Sequence, residues 1–357
     1  MVGVNVLKVG GRSSEVRLYA CHVLGCMFIL ARGTTYCVSP ATGNCGRVKM
    51  RKAYLLLLTV VILILFSGSW VLSKEVVGSV SPVLATGVRL LFTTMVLWLW
   101  VFCSEGRQGS FYLRRVFAVR FATLSIFGFS AYFISTFEAL KVLKASELTM
   151  LLSSIPGFTY VLGVLFGVLS FSWLKFFGVL VVTLGGVMFN MGPGVSFGGI
   201  RGIAFAFLGA LSYSVYGLLS RVWLGRDSII VSVSWITLMS FVSFLPFLLV
   251  HHDSLVGLSW NNVVKLFVLG GLLSAPVYVL YQKVLSVGGV VYANSVGLLA
   301  PCVVVASEWA LGEDVLMDGG RLIWMMVTML GIFLLYVDAS GFFDRVFRGD
   351  RGGKGIL

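Results

Sequence analysis

Charged residues inside apolar segments are the first candidates for chemistry, because a charge in lipid is costly and normally faces a cavity or a partner. Arg89 lies about 10 Å inside an apolar stretch if that stretch is helical. Glu138 ends the next stretch and Glu147 opens the following one. An Arg89–Glu147 or Arg89–Glu138 pair would form an outer gate, or Arg89 would hold an anionic group of a solute; a static structural pair is the alternative. Glu308, one turn inside a later stretch, is expected to snorkel to the outer surface.

Polar and aromatic residues cluster in three later stretches: Tyr213, Tyr216, Tyr278, Tyr281, Gln282, Tyr292, Asn294 and Ser295. Tyr213 and Tyr216 are three residues apart and therefore share a helix face. Tyr278 and Tyr281 repeat that spacing. Two such faces, together with Asn294, would line a pocket for a flat or zwitterionic solute. The alternative is a belt of tyrosines at the membrane interface, especially at Tyr281 and Tyr292.

These residues lie on long apolar stretches between Tyr54 and Val337. There are about ten such stretches of roughly 18–23 residues, each long enough to cross a bilayer as a helix. The predicted spans 1 to 10 are Tyr54–Ser73, Pro82–Cys103, Val116–Phe137, Leu148–Val168, Trp173–Met191, Gly202–Trp223, Ile229–Val250, Val263–Gln282, Val290–Leu311 and Leu322–Val337. The short connections predict an all-α integral membrane bundle of ten helices.

The second five spans repeat the first five. Ser73-Lys74 ends span 1 and Ser220-Arg221 ends span 6, at an offset of 147 residues. At an offset of 145, the matched pairs are Leu140/Leu285, Val142/Val287, Pro156/Pro301 and Gly186/Gly331. An odd number of spans per copy predicts opposite orientations for the two copies. Inverted repeats with a site between the halves are typical of secondary transporters.

Prolines within the spans predict bends, because each one removes an intrahelical hydrogen bond. Pro156 and Pro301 are equivalent in the two copies and are expected to kink matching helices beside a central cavity. A purely structural kink is the alternative.

Composition and charge agree with a membrane protein. The 357-residue chain is 58% hydrophobic, has a mean hydropathy of +0.99 and carries a net charge of +13. No part of the segment from Tyr54 to Val337 has the polar surface of a soluble domain. With ten spans, both termini lie on the same side of the membrane, and most basic residues lie in the loops and tails of that side. The positive-inside rule therefore predicts a cell (inner) membrane protein with cytoplasmic termini. The basic excess is expected to contact membrane lipid and not nucleic acid.

Residues 1–49 do not continue this pattern. Four of the six cysteines lie there, at spacings unlike those of a zinc site. Because Met50-Arg51-Lys52 leads directly into span 1, residues 1–49 are predicted to be a disordered extension or to precede the true start. Small residues four apart, such as Gly163 and Gly167, favour close helix packing and permit a homodimer. The remaining predicted parts are a first repeat, a Gly-rich linker, a second repeat and a basic cytoplasmic tail, at 50–191, 192–201, 202–337 and 338–357.

No residue pattern indicates catalysis, a metal centre or a bound cofactor. None of the three histidines lies inside a span, and the sequence has neither an H-E-x-x-H motif nor a phosphate-binding loop. The missing loop argues against coupling to ATP. A lipid-modifying membrane enzyme and a non-transporting receptor or scaffold are the alternatives to a carrier.

Short motifs in both copies resemble the EamA-type branch of the drug/metabolite transporter superfamily. They are Ser67-Gly68-Ser69-Trp70 through Lys74, Ser81-Pro82, Val88-Arg89-Leu90-Leu91, Ala145-Ser146-Glu147, Ser154-Ile155-Pro156, Leu299-Ala300-Pro301 and Leu311-Gly312-Glu313. The resemblance covers nearly all of 50–337 and implies two inverted five-helix repeats, a central solute cavity and no cofactor. Since the family often has Arg and Glu at the positions of Arg89 and Glu147, it also implies a general structural or gating role for both.

The sequence thus predicts a secondary transporter or exchanger that is not an enzyme. Its small-molecule substrate would be a polar metabolite, such as an amino acid or a nucleoside-like solute, or an amphiphile. The expected mechanism is alternating access to a central site.

Overall fold

The computed structural model describes residues 47–104, 115–191, 197–224, 228–250, 257–288, 293, 299–312 and 319–336. The chain divides into two compact units, Met1–Tyr54 and Leu55–Leu357. Of the first unit, only 47–54 are described, and they form the first turns of a helix. The predictions for 1–46 and 337–357 lie outside the described residues.

The described residues are helical, and no strand occurs among them. The α-helices are α1 (Arg47–Val77), α2 (Pro82–Ser104), α3 (Arg115–Ser125), α4 (Ala131–Leu140), α5 (Ala145–Leu152), α6 (Ile155–Leu165), α7 (Trp173–Asn190), α8 (Phe197–Trp223), α9 (Ile229–Val250), α10 (Trp260–Phe267), α11 (Ala275–Gly288), α12 (Ala300–Ala310) and α13 (Gly319–Tyr336). Two π turns, Ile126–Ser130 and Val268–Ser274, join α3 to α4 and α10 to α11.

Eight described helical segments are long and apolar enough to cross a membrane, and they overlap predicted spans 1 to 8, with limits that differ by up to four residues. Two shorter apolar helices, Ala300–Ala310 and Gly319–Leu335, lie where spans 9 and 10 were predicted. The membrane-spanning character of the protein therefore rests on eight helices, and ten crossings remain a prediction.

The distribution of polar and apolar side chains is that of a membrane protein. Serine and threonine side chains are buried within the bundle, among them Ser67, Thr86 and Thr237. Large apolar side chains face outward instead: Leu165 is 73% exposed and Trp309 is 76% exposed. So much outward apolar surface is stable only against lipid or another apolar partner.

The helix bounds repeat at the offset that the sequence predicts. Helices α6 and α12 begin and end 145 residues apart, and each is followed by a glycine with positive φ. These glycines, Gly167 at 68° and Gly312 at 76°, turn the chain in a conformation that a side chain would strain. Pro156 and Pro301 both lie in the first turn of their helices. Span 4 is interrupted just before Pro156, so its predicted bend is a break between α5 and α6.

Equivalent helices of the two copies pack against each other. The packed pairs are α2 with α9, α7 with α13 and α5 with α12, which join spans 2 and 7, 5 and 10, and 4 and 9. Span 2 also contacts the π turn of span 8, and span 7 contacts span 3 in the equivalent way. This exchange of matching contacts is the arrangement that a pseudo-two-fold axis between two copies produces.

Glycines bring spans 5 and 10 together at backbone distance. A Cβ on Gly331 would lie 2.5 Å from the Val182 nitrogen, and one on Gly178 would lie 2.9 Å from the Gly331 oxygen. Tyr160 and Ile332 belong to the apolar core around this contact. Small residues thus allow the close approach that stabilises helix pairs in lipid.

Candidate functional site

Arg89 is the charged side chain buried most deeply in the candidate site, with 3% of its surface exposed. Its Nε and Nη2 atoms donate to the Ser274 hydroxyl of span 8, at 3.0 and 2.9 Å. The guanidinium also stacks on two rings of span 3, 4.2 Å from the centroid of Phe133 and 5.6 Å from that of Phe137. Both copies of the repeat therefore contribute to its surroundings.

The predicted pairing of Arg89 with Glu147 or Glu138 is wrong in this structure. Glu147 Oε1 accepts from Arg321 Nη2 at 3.3 Å, while Glu147 Oε2 accepts the Lys144 backbone N–H at 2.9 Å. Glu138 lies 2.9 Å from the Lys141 ammonium and 4.0 Å from Arg201 Nη2. Both carboxylates lie near helix ends and are paired there with cations that are also near helix ends, whereas Arg89 lies deeper within span 2.

Glu308 does not snorkel, because only 1% of it is exposed. Its Oε1 atom accepts the Ser146 N–H at 3.1 Å, at the first turn of α5. The N-terminal end of a helix attracts a carboxylate through its free N–H groups and its dipole. Glu308 therefore joins spans 4 and 9.

The remaining described carboxylate, Glu75, is paired with Lys265. Within the described ranges, each of the four glutamates thus has a partner other than Arg89. The positive charge of Arg89 is left unmatched by any described carboxylate, which is an unusual and costly state for a buried arginine.

The π turn of span 8 places Ser274 against Arg89. Gly270 leaves room for the Arg89 carbonyl, since a Cβ there would lie only 2.3 Å from that oxygen. Thr93, one turn after Arg89, donates to the Gly270 carbonyl at 2.9 Å, so a carbonyl within the turn is satisfied. Short π-helical segments within helices are frequent at functional sites.

Several buried polar atoms around Arg89 have no hydrogen-bond partner among the described residues. They are Arg89 Nη1, the Tyr132 and Tyr278 hydroxyls and, in the ring that packs against Tyr132, the Trp70 indole nitrogen. The two hydroxyls interact electrostatically with the guanidinium without a hydrogen bond of standard geometry. Buried polar groups are normally satisfied, so these atoms mark a place where a bound molecule would find donors. We call Arg89, Ser274, Phe133, Tyr132 and Tyr278 the Arg89 site.

The predicted tyrosine pocket is only partly assembled. Rings of Tyr213 and Tyr216 pack on Tyr281, with centroids 5.4 and 6.4 Å apart. Tyr278 instead packs on Phe129 at 4.7 Å, on the side of Arg89. Tyr216, Tyr278 and Tyr281 are buried, so an interfacial belt is wrong for them. Asn294, Tyr292 and Ser295 lie outside the described residues.

Two cavities flank these aromatic rings. The larger, about 260 Å³, is lined by Ser220, Arg221, Leu224, Ile229, Ser232, Gln282, Leu285 and Ser286 at the ends of spans 6, 7 and 8. The smaller, about 40 Å³, is mostly apolar and is lined by Ile62, Phe66, Thr149, Leu152, Ile155, Tyr213, Val277, Tyr281, Ala293 and Ala300. Gln282 lines the larger cavity and donates to the Tyr216 hydroxyl at 2.6 Å.

In each copy, a basic side chain at the end of the first span donates a hydrogen bond to a backbone carbonyl at the end of the third span. Lys74 Nζ donates to the Leu140 carbonyl at 2.7 Å, and Arg221 Nη1 donates to the Leu285 carbonyl at 3.0 Å. Lys74 matches Arg221 and Leu140 matches Leu285 in the predicted repeat. These contacts agree with the alignment read from the sequence.

Sequence reasoning missed Ser274, Tyr132, Phe133 and both π turns. The Gly270-Gly271 pair was the available signal, because adjacent glycines in a membrane helix indicate close backbone approach. Nothing in the residue types indicated that the hydrogen-bond partner of Arg89 comes from span 8 and not from a carboxylate of span 3 or 4. In the described part of the chain, no three His, Cys, Asp or Glu residues are grouped to hold a metal ion.

Gln282 provides a test of the buried polar contact at the inner cavity. We expect Gln282→Leu to lower the free energy of unfolding by about 1–3 kcal/mol, because it removes the amide that donates to the buried Tyr216 and Ser220 hydroxyls. The double variant Tyr216→Phe/Gln282→Leu should recover much of this loss. Thermal unfolding in detergent measures both, and a double variant less stable than Gln282→Leu would contradict the assignment.

Comparison with known proteins places this architecture in a family. Two segments, residues 51–191 and 200–337, match the EamA-like transporter family. Twenty-eight chains of solved structures match significantly. One, titled "Crystal structure of protein", has a TM-score of 0.58 at 17% identity and covers 81% of this chain and 99% of its own. The search of curated proteins gave no significant match.

The fold and the matched segments define a multi-pass membrane protein built from two copies of one helical unit. The chain belongs to the EamA-like transporter family, within the drug/metabolite transporter superfamily. The predicted family resemblance is therefore confirmed. Its members are transporters and not enzymes.

Proposed function

We propose that the protein is a secondary carrier that exposes the Arg89 site alternately to the two sides of the cell membrane. The observation that carries the proposal is a buried, unmatched arginine held between the two copies, with spans 2 and 3 on one side and span 8 on the other. A site shared by two repeats is where rocking of one copy against the other would change access.

The proposed orientation has inverted copies and both termini in the cytoplasm. The alternation of the spans is supported by contacts between described helix ends, which join ends that the span count assigns to the same side. Glu75 with Lys265, and Glu147 with Arg321, are such contacts on the outer side. Arg221 with the Leu285 carbonyl is one on the cytoplasmic side. The choice of the cytoplasmic side is supported by the excess of basic residues there.

Ion pairs on the proposed outer side and a cavity on the proposed cytoplasmic side indicate which state of the carrier the structure represents. Ion pairs join spans 1 and 8, and spans 4 and 10, above the Arg89 site. Toward the opposite ends of spans 6 and 8, the 260 Å³ cavity is lined by Gln282, whose amide donates to the Tyr216 hydroxyl. We infer that this state is closed outside, with the Tyr216–Gln282 contact as the remaining inner barrier.

Solute counterflow tests the carrier function. Proteoliposomes containing the full chain would be loaded with single unlabelled solutes of anionic, zwitterionic, neutral and cationic classes. Labelled solute outside should then accumulate transiently for at least one class without an ion gradient. Binding without exchange, for folded protein, would indicate a receptor instead and overturn the proposal.

The Glu147–Arg321 pair provides a test of outer closure. Glu147→Gln should shift the equilibrium toward the outward-open state roughly 3- to 10-fold, since a partly buried pair contributes about 1 kcal/mol. Lys141→Gln is the matched control, because Glu138–Lys141 lies at one helix end and joins no two spans. Reactivity of a cysteine placed in the site toward an external thiol reagent measures the shift; equal reactivity in both variants would contradict the gate.

A further inference from the structure

The charge of the Arg89 site points to one kind of solute. Among the described residues the site has one guanidinium, no second cation and no carboxylate within its surroundings. A single unmatched positive charge is best balanced by a single negative charge. An ammonium group would find no anionic partner there, and a phosphate dianion would find only one cation.

The free donors are arranged for a small planar anion. Ser274 already occupies Nε and Nη2 of Arg89, whereas Nη1 has no hydrogen-bond partner among the described residues. The Tyr132 and Tyr278 hydroxyls are also buried and within electrostatic reach of the guanidinium, and in the described part of the chain neither makes a hydrogen bond of standard geometry. An arginine and two hydroxyls supply enough donors for both oxygens of one carboxylate.

The surroundings of the site suit an apolar body. Phe133 stacks on the guanidinium, and the ring of Tyr213 packs 4.7 Å from that of Tyr132. Tyr213 also lines the small apolar cavity together with Phe66. Since this cavity of about 40 Å³ holds only one or two water molecules, the body of a solute would enter as the bundle opens.

We infer that the transported solute is an organic monoanion, with its carboxylate on Arg89 and an aromatic or other apolar body against the tyrosines. This assignment rests on the proposed carrier function and narrows it to one charge class. The assignment excludes cationic amphiphiles and zwitterions as the transported solute.

Three probes of similar size test the charge class on the full chain: hippurate, its neutral amide and benzyltrimethylammonium. Hippurate should raise the unfolding temperature and show counterflow, with an apparent affinity at least about tenfold above that of the amide. Arg89→Lys should weaken hippurate binding yet keep the preference for it over the amide. Arg89→Gln should lose the preference, and Arg120→Gln, remote from the site, should retain it.

The outcomes separate the two proposals. Exchange of the amide or the cation as readily as hippurate would overturn the anion assignment and leave the carrier function standing. Stabilisation by hippurate without exchange would support the anion site and overturn the carrier. Failure of hippurate, benzoate and indole-3-acetate alike to bind would overturn the anion assignment, whatever the other probes do.

Discussion

Replacing Arg89 with glutamine is expected to reduce transport at least about 30-fold without unfolding the protein. Loss of one partner from a buried charge-assisted contact typically costs 2–5 kcal/mol of binding, and each 1.4 kcal/mol corresponds to a factor of ten. Stability should change little, because the variant loses two hydrogen bonds to Ser274 but no longer buries an unmatched charge. A transport assay measures the expected loss of activity, and thermal unfolding of the same variant measures the expected constancy of stability.

Arg120→Gln is the matched control for this variant. Arg120 is also an arginine on a membrane helix, but it lies near the N-terminal end of span 3, away from the Arg89 site. Normal transport by the Arg89→Gln variant would show that Arg89 does not bind the solute. A sharp fall in its unfolding temperature would assign Arg89 a structural role instead.

The second large effect is expected at the contact between spans 5 and 10. Gly331→Ala would place a methyl group 2.5 Å from the Val182 nitrogen and 3.0 Å from the Gly178 oxygen, both backbone atoms. Backbone cannot move aside as a flexible side chain can, so the two helices must separate. We expect a loss of about 1–3 kcal/mol or more in the free energy of unfolding.

Gly319→Ala in the same helix is its control, because nothing lies within 4 Å of a Cβ at that position. Gly319 is the first residue of α13, where the preference of helix interiors for alanine is weak, so Gly319→Ala should change stability little. The unfolding temperatures of the two variants in detergent give the comparison. Equal stability would show that spans 5 and 10 are not in backbone contact.

Much of the fold could be predicted because apolar length and repeat spacing are properties of the sequence itself. The limits predicted for spans 2 and 7 agree with the structure within one residue. The offset of 145 reappears in the bounds of α6 and α12. Hydropathy determines where a helix begins and ends, since backbone groups in lipid must bond within their own helix.

The pairing of charges could not be predicted in the same way. Depth along each helix placed Arg89 and Glu147 on the outer half, but depth does not say which neighbour a side chain faces. Arg321 reaches Glu147 from span 10, 174 residues later in the chain. Which helices are neighbours is decided by how the two copies pack together. The hydropathy pattern and the number of spans do not determine that packing.

The π turns also escaped prediction. A π turn depends on a local change of hydrogen-bond register, and Ile126–Ser130 has the same apolar composition as an ordinary helical turn. Their consequence is visible only in three dimensions: Gly128 meets the Tyr216 ring and Gly270 meets the Arg89 carbonyl. Both turns lie in third spans of the repeats, so the copies place equivalent distortions beside the candidate site.

The most direct test of the account measures access to the centre of the bundle from each side. Val277→Cys, made in a chain without other cysteines, places a thiol next to Tyr278 and on the small apolar cavity. A membrane-impermeant thiol reagent would be applied to right-side-out and to inside-out vesicles, with buried Leu97→Cys as the unreactive control. Alternating access predicts modification from both sides, slowed by a transported solute. Modification from one side only, under every condition, would contradict a carrier.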